Sequence, residues 1–403
     1  MKIIPKNSRD QNIIHMDLDA FFVSVECLRE PSLKGLPLLI GGKSGRGVVA
    51  ACSYEARRFG IHSAMPMKTA KRLCPHATII GGDPEQYSMY SNMVTEIIAE
   101  QVPLYEKSSI DEFYIDLSGM ERFHNSYLLA QKIKGDIGKE TGLNISFGHS
   151  INKTVSKVAT NESKPNGHCK VDRGAEKPFL APLTVDKIPQ IGPSTSNTLR
   201  SMGVARVRTL QKMPVELLQN VLGKNGSRIW QKANGIDHSP VVPYSEQKSM
   251  SSERTFDQDT TDVHGLKDLL VGMTERLAFK LRKQNKLTAC ITVKIRYSDF
   301  DTRSMQCRLP YTSCDHILIQ KAKELFDKLY QRRLLIRLIG VRLSHLVGGA
   351  YQINLFDDTE EMIALYQAMD KVRLRFGEDK VKRAAGMKLR HPRMNPFNGR
   401  MAV

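Results

Sequence analysis

The sequence predicts a multidomain α+β protein, and three observations support that class. The chain has 403 residues, which is too long for one ordinary domain and enough for two to four domains. In roughly the first third, apolar periodicity gives strand, helix, strand, strand, helix, strand once residues 31 to 82 are treated as an insertion. That order is a ferredoxin-like split βαβ fold. Residues 1 to 180 carry 23 Lys+Arg against 20 Asp+Glu, whereas the remainder carries 37 against 22, so the second part is strongly basic.

The composition excludes several classes of protein. The chain is 41% hydrophobic and 25% charged, as soluble globular proteins are. No run of about 18 apolar residues offers a membrane span, and the N-terminus lacks the apolar block of a signal peptide. We therefore expect a cytoplasmic protein without a membrane partner. The seven cysteines are scattered and form no CxxC pair, which favours reduced thiols over disulfides or a zinc site.

The first element, from about residue 13, is a predicted strand that leads into a helix over residues 20 to 29, with Phe22 and Val25 facing inward. Asp17 falls at the end of the strand and Asp19 just beyond it. Leu18, between them, offers only its backbone carbonyl. Oxygen ligands of this kind suit Mg²⁺ rather than zinc.

A second acidic pair, Asp111 and Glu112, lies at or near the turn of a predicted hairpin. Taken alone, the pair is equally well explained as a solvated turn. In the split βαβ order, however, the first strand and the hairpin lie side by side, which brings Asp17 next to the pair. Three carboxylates in one place repel one another unless a divalent cation lies between them. Paired Mg²⁺ ions there would clamp an in-line displacement at phosphorus, so phosphoryl transfer is the leading chemistry.

The other elements of the first part follow from periodicity and capping. Strands are predicted at residues 36 to 40 and 48 to 51 of the insertion, and a helix begins at Asp83, with Tyr87 and Val94 inward. A helix over residues 126 to 140 and a strand over 144 to 148 complete the fold.

The basic second part holds two predicted units. Around Ile191 and Gly192, a helix, a tight glycine turn and a second helix would present free backbone N–H groups to a phosphate. After a tether at residues 238 to 247, the elements repeat the order of the first fold. In one strand of that unit, Ile291 and Val293 alternate with Lys294 and Arg296, which predicts one apolar and one basic sheet face. Such a face suits a grip on nucleic-acid phosphates.

Four segments carry a family resemblance: IIHMDLDAFFVSVE, CSYEARRFGIHSAMP, SSIDEFYIDLSGM and SKPNG. They are similar to motifs in the palm and fingers of Y-family translesion DNA polymerases, the class of bacterial DNA polymerase IV and the catalytic subunit of polymerase V. The resemblance implies a ferredoxin-like palm with inserted fingers, a helical helix-hairpin-helix thumb and an α/β little-finger domain. The implied boundaries are 1–30 and 83–180 for the palm, 31–82 for the fingers, 181–240 for the thumb, 241–247 for a linker, 248–347 for the little finger and 348–403 for a tail.

The resemblance also implies roles for individual residues. Asp17, Asp111 and Glu112 would be the catalytic, metal-binding carboxylates, with the Leu18 carbonyl as a further ligand of two Mg²⁺ ions per active site. Phe22 is at the steric-gate position, where an aromatic ring excludes a ribose 2′-OH. The residues implied to contact the incoming nucleotide are Phe22, Tyr54, Arg57 and Lys157, with Ala64 in the roof over the nascent base pair.

The implied activity is template-directed, low-fidelity synthesis from dNTP on primer-template DNA, by a monomer without a proofreading exonuclease. Gln352, Leu355 and Phe356 resemble the peptide with which bacterial polymerases bind the sliding clamp. The chain continues for 47 residues after Phe356, more like the polymerase V subunit. Residues 360 to 385 are predicted helical, with Leu365, Met369, Val372 and Phe376 on one face, and residues 388 to 400 disordered.

Two other functions share parts of this pattern. Nucleotidyl cyclases also place paired carboxylates on a ferredoxin-like fold, but the glycine hairpin and the basic second part argue against a template-free enzyme. A non-catalytic DNA-binding accessory protein would keep the fold and the charge, and the presence of all three carboxylates disfavours it.

Overall fold

The structure is a computed structural model that describes residues 11–42, 44–120, 125–243, 246–349, 360–378 and 380–384. The chain forms two compact units, which divide between residues 245 and 246. Both units combine helices with sheets that are wholly or largely antiparallel, as the α+β class predicts. Among the described residues, no helix has the length and apolar character that crossing a bilayer requires.

The first unit begins with fourteen strands and α-helices. In chain order they are β1 (Ile13–Leu18), α1 (Phe21–Arg29), β2 (Leu38–Gly41), β3 (Val49–Cys52), α2 (Tyr54–Arg57), α3 (Met67–Leu73), β4 (Thr78–Ile80), α4 (Pro84–Gln101), β5 (Tyr105–Lys107), β6 (Glu112–Asp116), α5 (Ser126–Thr141), β7 (Ile145–Ser150), α6 (Lys153–Ser163) and β8 (His168–Lys170).

The main sheet of this unit has the strand order β5-β6-β1-β7-β8. β1 pairs antiparallel with both β6 and β7, which is the predicted split βαβ arrangement, and β8 adds a parallel strand beside β7. All residues of β1 are buried, because helices cover both faces of the sheet. The predicted cap of α4 is present, since the Asp83 side chain accepts a hydrogen bond from the backbone N–H of Gln86.

The inserted residues form a smaller sheet of their own, in the order β3-β2-β4. Leu39, Cys52 and Met67 belong to a separate apolar core in this segment. The insertion is thus a small folded layer that packs against α1, rather than a loop.

The rest of the first unit is helical, as predicted. The expected helix before Gly192 is wrong, however: residues Val185–Lys187 form only one 3₁₀ turn. Ile188 is extended because the residue before a proline is disfavoured in the α conformation, and Pro189 follows it. The α-helices are α7 (Glu176–Leu180), α8 (Pro193–Ser201), α9 (Val207–Lys212), α10 (Val215–Leu222) and α11 (Lys224–Ala233).

The second unit has four long strands and three helices. They are β9 (Ser249–Thr260), α12 (Val263–Lys283), β10 (Lys286–Tyr297), β11 (Thr302–Thr312), α13 (Asp315–Leu329), β12 (Ile336–Gly348) and α14 (Glu360–Phe376).

The sheet of the second unit has the order β11-β10-β12-β9, and all its pairs are antiparallel. The element order repeats that of the first unit, but the first strand here lies at an edge beside the last strand. Ile291 and Val293 are fully buried, whereas Lys294 and Arg296 lie half-buried on the opposite face. The predicted division into an apolar and a basic face is confirmed.

α14 packs differently from the expectation of its apolar pattern. Leu365, Val372 and Phe376 do share a face, but they are 48%, 38% and 57% exposed. The buried residues are Tyr366 and Arg373, at 0% and 3%. The helix is held by polar contacts with α12 and α13, which a hydrophobic pattern does not detect.

Candidate active site

The pairing of β1 with β6 brings the predicted carboxylates together. Asp17 and Glu112 are direct partners across the two strands, and the backbone N–H of Leu18 donates to the carbonyl of Asp111 at 3.0 Å. Asp17 is 6% exposed, and Asp111 and Glu112 are half-buried. Residues almost a hundred positions apart in the sequence thus meet where β1 ends and β6 begins.

The turn before β6 fixes the acidic pair through Ser109. The Ser109 hydroxyl donates to Oδ1 of Asp111 at 2.5 Å, and its oxygen accepts the backbone N–H of Glu112 at 3.1 Å. A serine turn of this kind fixes the Asp111 carboxylate and the backbone of Glu112 before any ligand arrives.

Two lysines contact the carboxylates. Nζ of Lys157 lies 2.7 Å from both carboxylate oxygens of Glu112, and Nζ of Lys164 is ion-paired with Oδ1 of Asp17. Lys157 was expected at the nucleotide phosphates. Lys164 was not singled out, although it stands in the SKPNG motif. Each ammonium lies where a positive charge balances a buried carboxylate.

Burial and mutual repulsion control the charge of the cluster. Burial raises the pKa of Asp17 to about 7, with Lys164 opposing the shift and Asp111 and Glu112 adding to it. Burial also raises the pKa of Asp111. For Glu112, burial is outweighed by His15 and Lys157, which lower its pKa. The two lysines therefore keep Glu112 ionised, but they do not fully offset burial at Asp17 and Asp111.

His15 is a neighbour that the sequence reasoning missed. It is fully buried, its Nδ1 lies 2.8 Å from the Thr160 hydroxyl, and its Nε2 lies 3.9 Å from Oε2 of Glu112. Burial lowers its pKa to about 4, so the imidazole is neutral near pH 7. The signal was in the strand period, because residues two apart in β1 face the same side as Asp17.

These donors fit a hard divalent cation. The carboxylates of Asp17, Asp111 and Glu112 supply only oxygen, which suits Mg²⁺. Burial is the main cause of the raised pKa of Asp17, and a bound cation would favour the ionised form of this carboxylate. Within the described ranges, one group of three ligand-type side chains has ligand atoms within 4.8 Å of one another, and it consists of His15, Asp17 and Glu112.

Phe22 is held from behind by an aromatic stack. Its ring is 8% exposed and lies 4.3 Å from the ring of Tyr87, at an interplanar angle of 13°. The Tyr87 hydroxyl donates to Oε1 of Glu26 at 2.6 Å. Tyr87 was predicted only as a core residue, and its contact with Phe22 depends on the packing of α4 against α1.

The inserted segment contributes Tyr54 and Arg57 from α2. Ser53 caps this short helix, and the guanidinium of Arg57 lies 4.7 Å above the Tyr54 ring. The Tyr54 hydroxyl donates to Oδ1 of Asp19 at 3.3 Å. Ala64 adopts a left-handed backbone conformation with φ of 69°.

The remaining predicted contacts belong to other segments of the chain or lie outside the described residues. Ile191 is 7% exposed and packs in the helical core, with Gly192 directly before α8. In the second unit, Nζ of Lys294 pairs with Glu253 at 2.5 Å, and Nε of Arg296 donates to Thr302 at 2.8 Å. The segment from Gln352 to Phe356 lies outside the residues that the structure describes.

Comparisons with known proteins agree with this arrangement. Sequence models of the impB/mucB/samB family match residues 16–161 and, for its C-terminal domain, residues 247–355. A model described as the DNA polymerase-iota thumb domain matches residues 186–237.

Curated relatives match nearly the whole chain. A DNA polymerase IV of Dehalococcoides mccartyi is 39% identical over 376 residues, which cover 92% of this chain and 96% of that protein. A DNA polymerase IV of Methanoculleus marisnigri is 38% identical over 350 residues, covering 86% and 97%. Among solved structures, a Y-family DNA polymerase chimera has a TM-score of 0.74 at 27% identity, covering 84% of this chain and all of the other. DinB from Sulfolobus solfataricus has a TM-score of 0.58 at the same identity and coverage.

Proposed function

We propose a mechanism for this chain from the premise that it belongs to the Y family of DNA polymerases, resembles DNA polymerase IV, and is a DNA-directed DNA polymerase. Its reaction is low-fidelity translesion synthesis, in which the primer 3′-OH attacks the α-phosphorus of a dNTP and pyrophosphate leaves. The observation that carries the proposal is the direct pairing of Asp17 with Glu112, beside Asp111, in a half-buried site of oxygen donors.

Asp17, Asp111 and Glu112, with the carbonyl of Leu18, would hold two Mg²⁺ ions. When bound, these ions supply stabilisation of negative charge on the attacking and leaving oxygens. The chain's contribution is a set of carboxylates preset by the β1–β6 pairing and by Ser109. A preset site costs little reorganisation when the substrates arrive.

Lys157 and Lys164 would be free to bind the triphosphate if Mg²⁺ replaced them at the carboxylates of Glu112 and Asp17. Lys164 and Lys157 now neutralise Asp17 and Glu112, and both ammonium groups remain at the site for the triphosphate charge. Arg57 offers phosphate oxygens a planar fork, while Tyr54 offers one hydroxyl. Together these residues would orient the incoming dNTP.

Phe22 selects the sugar and Ala64 shapes the roof. The stack on Tyr87 keeps the Phe22 ring from moving aside, so a ribose 2′-OH meets a fixed obstacle. A small residue at Ala64 leaves space above the nascent pair, which favours bypass of distorted bases and low fidelity.

DNA is held by contacts that do not read sequence. The N–H of Ile191 donates to the carbonyl of Ile188 at 3.1 Å, so the turn would offer a phosphate the N–H of Gly192 and those of the first turn of α8. The outer sheet face with Lys294 and Arg296 offers positive charge. We propose that the protein acts as a monomer. We also propose that it lacks a proofreading exonuclease, since among the described residues the single group of metal-type ligands is the one at the proposed polymerase site.

Processivity would come from a sliding clamp bound through Gln352, Leu355 and Phe356. Deletion of residues 352 to 356 should remove stimulation by the clamp and leave clamp-free extension unchanged. Equal stimulation of the deletion variant and the wild type would contradict this part.

Primer extension tests the proposed function. The wild type with Mg²⁺ should extend a primer on undamaged and lesion-bearing templates and should stop when EDTA removes the metal. Turnover of a nucleoside triphosphate without a template would indicate a cyclase. DNA binding without any extension would indicate an accessory protein.

A further inference from the structure

Asp19 is a buried carboxylate that the proposed mechanism leaves without a role. It follows β1 by one residue, two positions after Asp17, and its side chain is 3% exposed. An isolated buried carboxylate is costly, so its partners indicate what it does.

Protein donors occupy both oxygens of the Asp19 carboxylate. The Ser146 hydroxyl lies 3.0 Å and 2.9 Å from Oδ1 and Oδ2. The backbone N–H of Asn166 donates to Oδ2 at 2.7 Å, and the Tyr54 hydroxyl donates to Oδ1 at 3.3 Å. Asp17, by contrast, has one carboxylate oxygen paired with the ammonium of Lys164, and a metal ion can take the place of that ammonium. The contacts of Asp19 are those of a structural anchor, not of a metal ligand.

The first anchored partner is the turn at residues 164 to 167. Asn166 lies two residues after Lys164, whose ammonium contacts Asp17. Gly167 strengthens the attachment, because its backbone N–H donates to the same Ser146 hydroxyl oxygen at 3.2 Å. Nζ of Lys134 also donates to the carbonyl of Asn166 at 2.5 Å. The backbone that carries Lys164 is therefore fixed relative to the end of β1.

The second anchored partner is Tyr54, from the inserted segment. A phenol has one proton, and in this structure that proton points to Asp19. The distance of 3.3 Å is long for a hydrogen bond between oxygens, so the bond is weak enough to be exchanged for a phosphate oxygen. Asp19 thus holds the Tyr54 hydroxyl near the site and still leaves it able to donate to a phosphate oxygen instead.

We propose that Asp19 is a positioning residue for the nucleotide triphosphate: it ties the turn carrying Lys164 and the side chain of Tyr54 to the end of β1. The inference rests on the proposed function, because it assigns Lys164 and Tyr54 to the phosphates of the dNTP. The proposal gives the two aspartates different roles: Asp17 binds metal, and Asp19 holds the surrounding protein in position.

The test measures nucleotide binding without chemistry. Each variant is bound to a primer-template whose primer ends in a dideoxynucleotide, with Ca²⁺ as the cation, and titrated with the complementary dNTP. The variants are Asp19→Asn, Ser146→Ala, Tyr54→Phe and the double variant Asp19→Asn with Tyr54→Phe. Asparagine keeps the shape but replaces one acceptor oxygen with a donor, so at least one protein donor loses its partner.

For Asp19→Asn we expect the Kd for dNTP to rise about tenfold, and for Ser146→Ala by a smaller factor in the same direction. The Mg²⁺ concentration for half-maximal extension should stay unchanged, and kcat at saturating dNTP should fall less than the Kd rises. In the Asp19→Asn background, Tyr54→Phe should raise the Kd for dNTP by a smaller factor than it does alone, because the two residues act through one contact.

Three results would overturn the proposal. The first is a shift of the Mg²⁺ requirement in Asp19→Asn, which would make Asp19 a metal ligand. The second is wild-type affinity for dNTP in both Asp19→Asn and Ser146→Ala. The third is additivity of Asp19→Asn and Tyr54→Phe. If Asp19→Asn does not fold, Ser146→Ala alone decides. Failure of the wild type to bind dNTP would instead contradict the proposed function.

Discussion

Asp17 and Glu112 face each other across two antiparallel strands, and each is paired with a different lysine. The two carboxylates have opposite shifts, since the pKa of Asp17 is raised to about 7 and that of Glu112 is lowered. Burial is the main cause of the raised pKa of Asp17, whereas at Glu112 the neighbouring His15 and Lys157 together outweigh burial. This asymmetry is a property of the protein alone, before any cation or substrate binds.

Sugar selection should depend on Phe22 and on the ring behind it. Phe22→Ala should raise the ratio of ribonucleotide to deoxyribonucleotide kcat/KM by about 100-fold, because the obstacle to a 2′-OH is removed. Tyr87→Leu should raise it by a smaller factor, since Phe22 then lacks its stacked neighbour. Steady-state incorporation of a single rNTP or dNTP measures both ratios. Leu128→Ala, at a position 59% exposed on α5, is the control and should behave as the wild type.

The attachment of α14 should depend on a buried ion pair. Nη2 of Arg373 lies 2.6 Å from Oε1 of Glu275, and the two side chains are 3% and 5% exposed. Arg373→Ala should lower the free energy of unfolding of the second unit by about 3 kcal/mol, because Glu275 is left buried without its partner. Lys371→Ala, exposed on the same helix, should change it by less than about 0.5 kcal/mol.

Urea unfolding followed by circular dichroism measures both values. The double variant Arg373→Leu with Glu275→Leu should regain much of the loss, since no charge remains buried. Equal stability of Arg373→Ala and Lys371→Ala would show that the ion pair does not hold α14.

The outer sheet face of the second unit should bind DNA through charge. Arg342 is exposed there, while Lys294 is paired with Glu253 across Gly340. Arg342→Ala should lower the slope of log Kd against log salt by about one, and Glu253→Gln should strengthen binding because Lys294 is released. Fluorescence anisotropy of a labelled primer-template over a range of KCl measures both. Lys267→Ala, on α12, is the control, and an equal loss of slope there would argue against a localised face.

Stability at acidic pH should depend on His149. Burial lowers its pKa from 6.5 to about 4, so between these values the unfolded chain binds a proton that the folded chain does not. His149 therefore contributes stability that is complete above about pH 6.5 and is lost as the pH falls towards 4. In that window the free energy of unfolding of His149→Gln should fall less steeply with decreasing pH than that of the wild type, by up to about 1.4 kcal/mol per pH unit. Thermal unfolding at intervals from pH 4 to 8 checks this, and parallel curves would contradict it.

The sequence was sufficient for the parts of the site that local pattern determines. The predicted hairpin that carries Asp111 and Glu112 contains β6, and the order of elements predicted that β1 would lie beside it. Together these placed Asp17 next to Glu112. The cap at Asp83 similarly predicted the start of α4.

Other features depend on contacts between distant segments. Lys164 is one of many lysines in the sequence, and only the fold shows that its ammonium meets Asp17. The buried face of α14 carries Arg373, which a hydrophobic pattern assigns to solvent because the side chain is charged. Its partner Glu275 lies 98 residues away in the sequence, so no local pattern reveals the ion pair. In the second unit the element order was correct, but strand order depends on which edges pair, and the sequence contains no direct signal for that.

The most direct test of the metal cluster is primer extension by Asp111→Ala, with Asp116→Ala as the matched control. Asp116 is also on β6, but its carboxylate accepts from Ser118 and pairs with neither lysine of the site. With Mg²⁺ and undamaged template, Asp111→Ala should lose extension by about three orders of magnitude or more, and Asp116→Ala should retain it. Extension by Asp111→Ala at the rate of the wild type would contradict the assignment of this cluster as the active site.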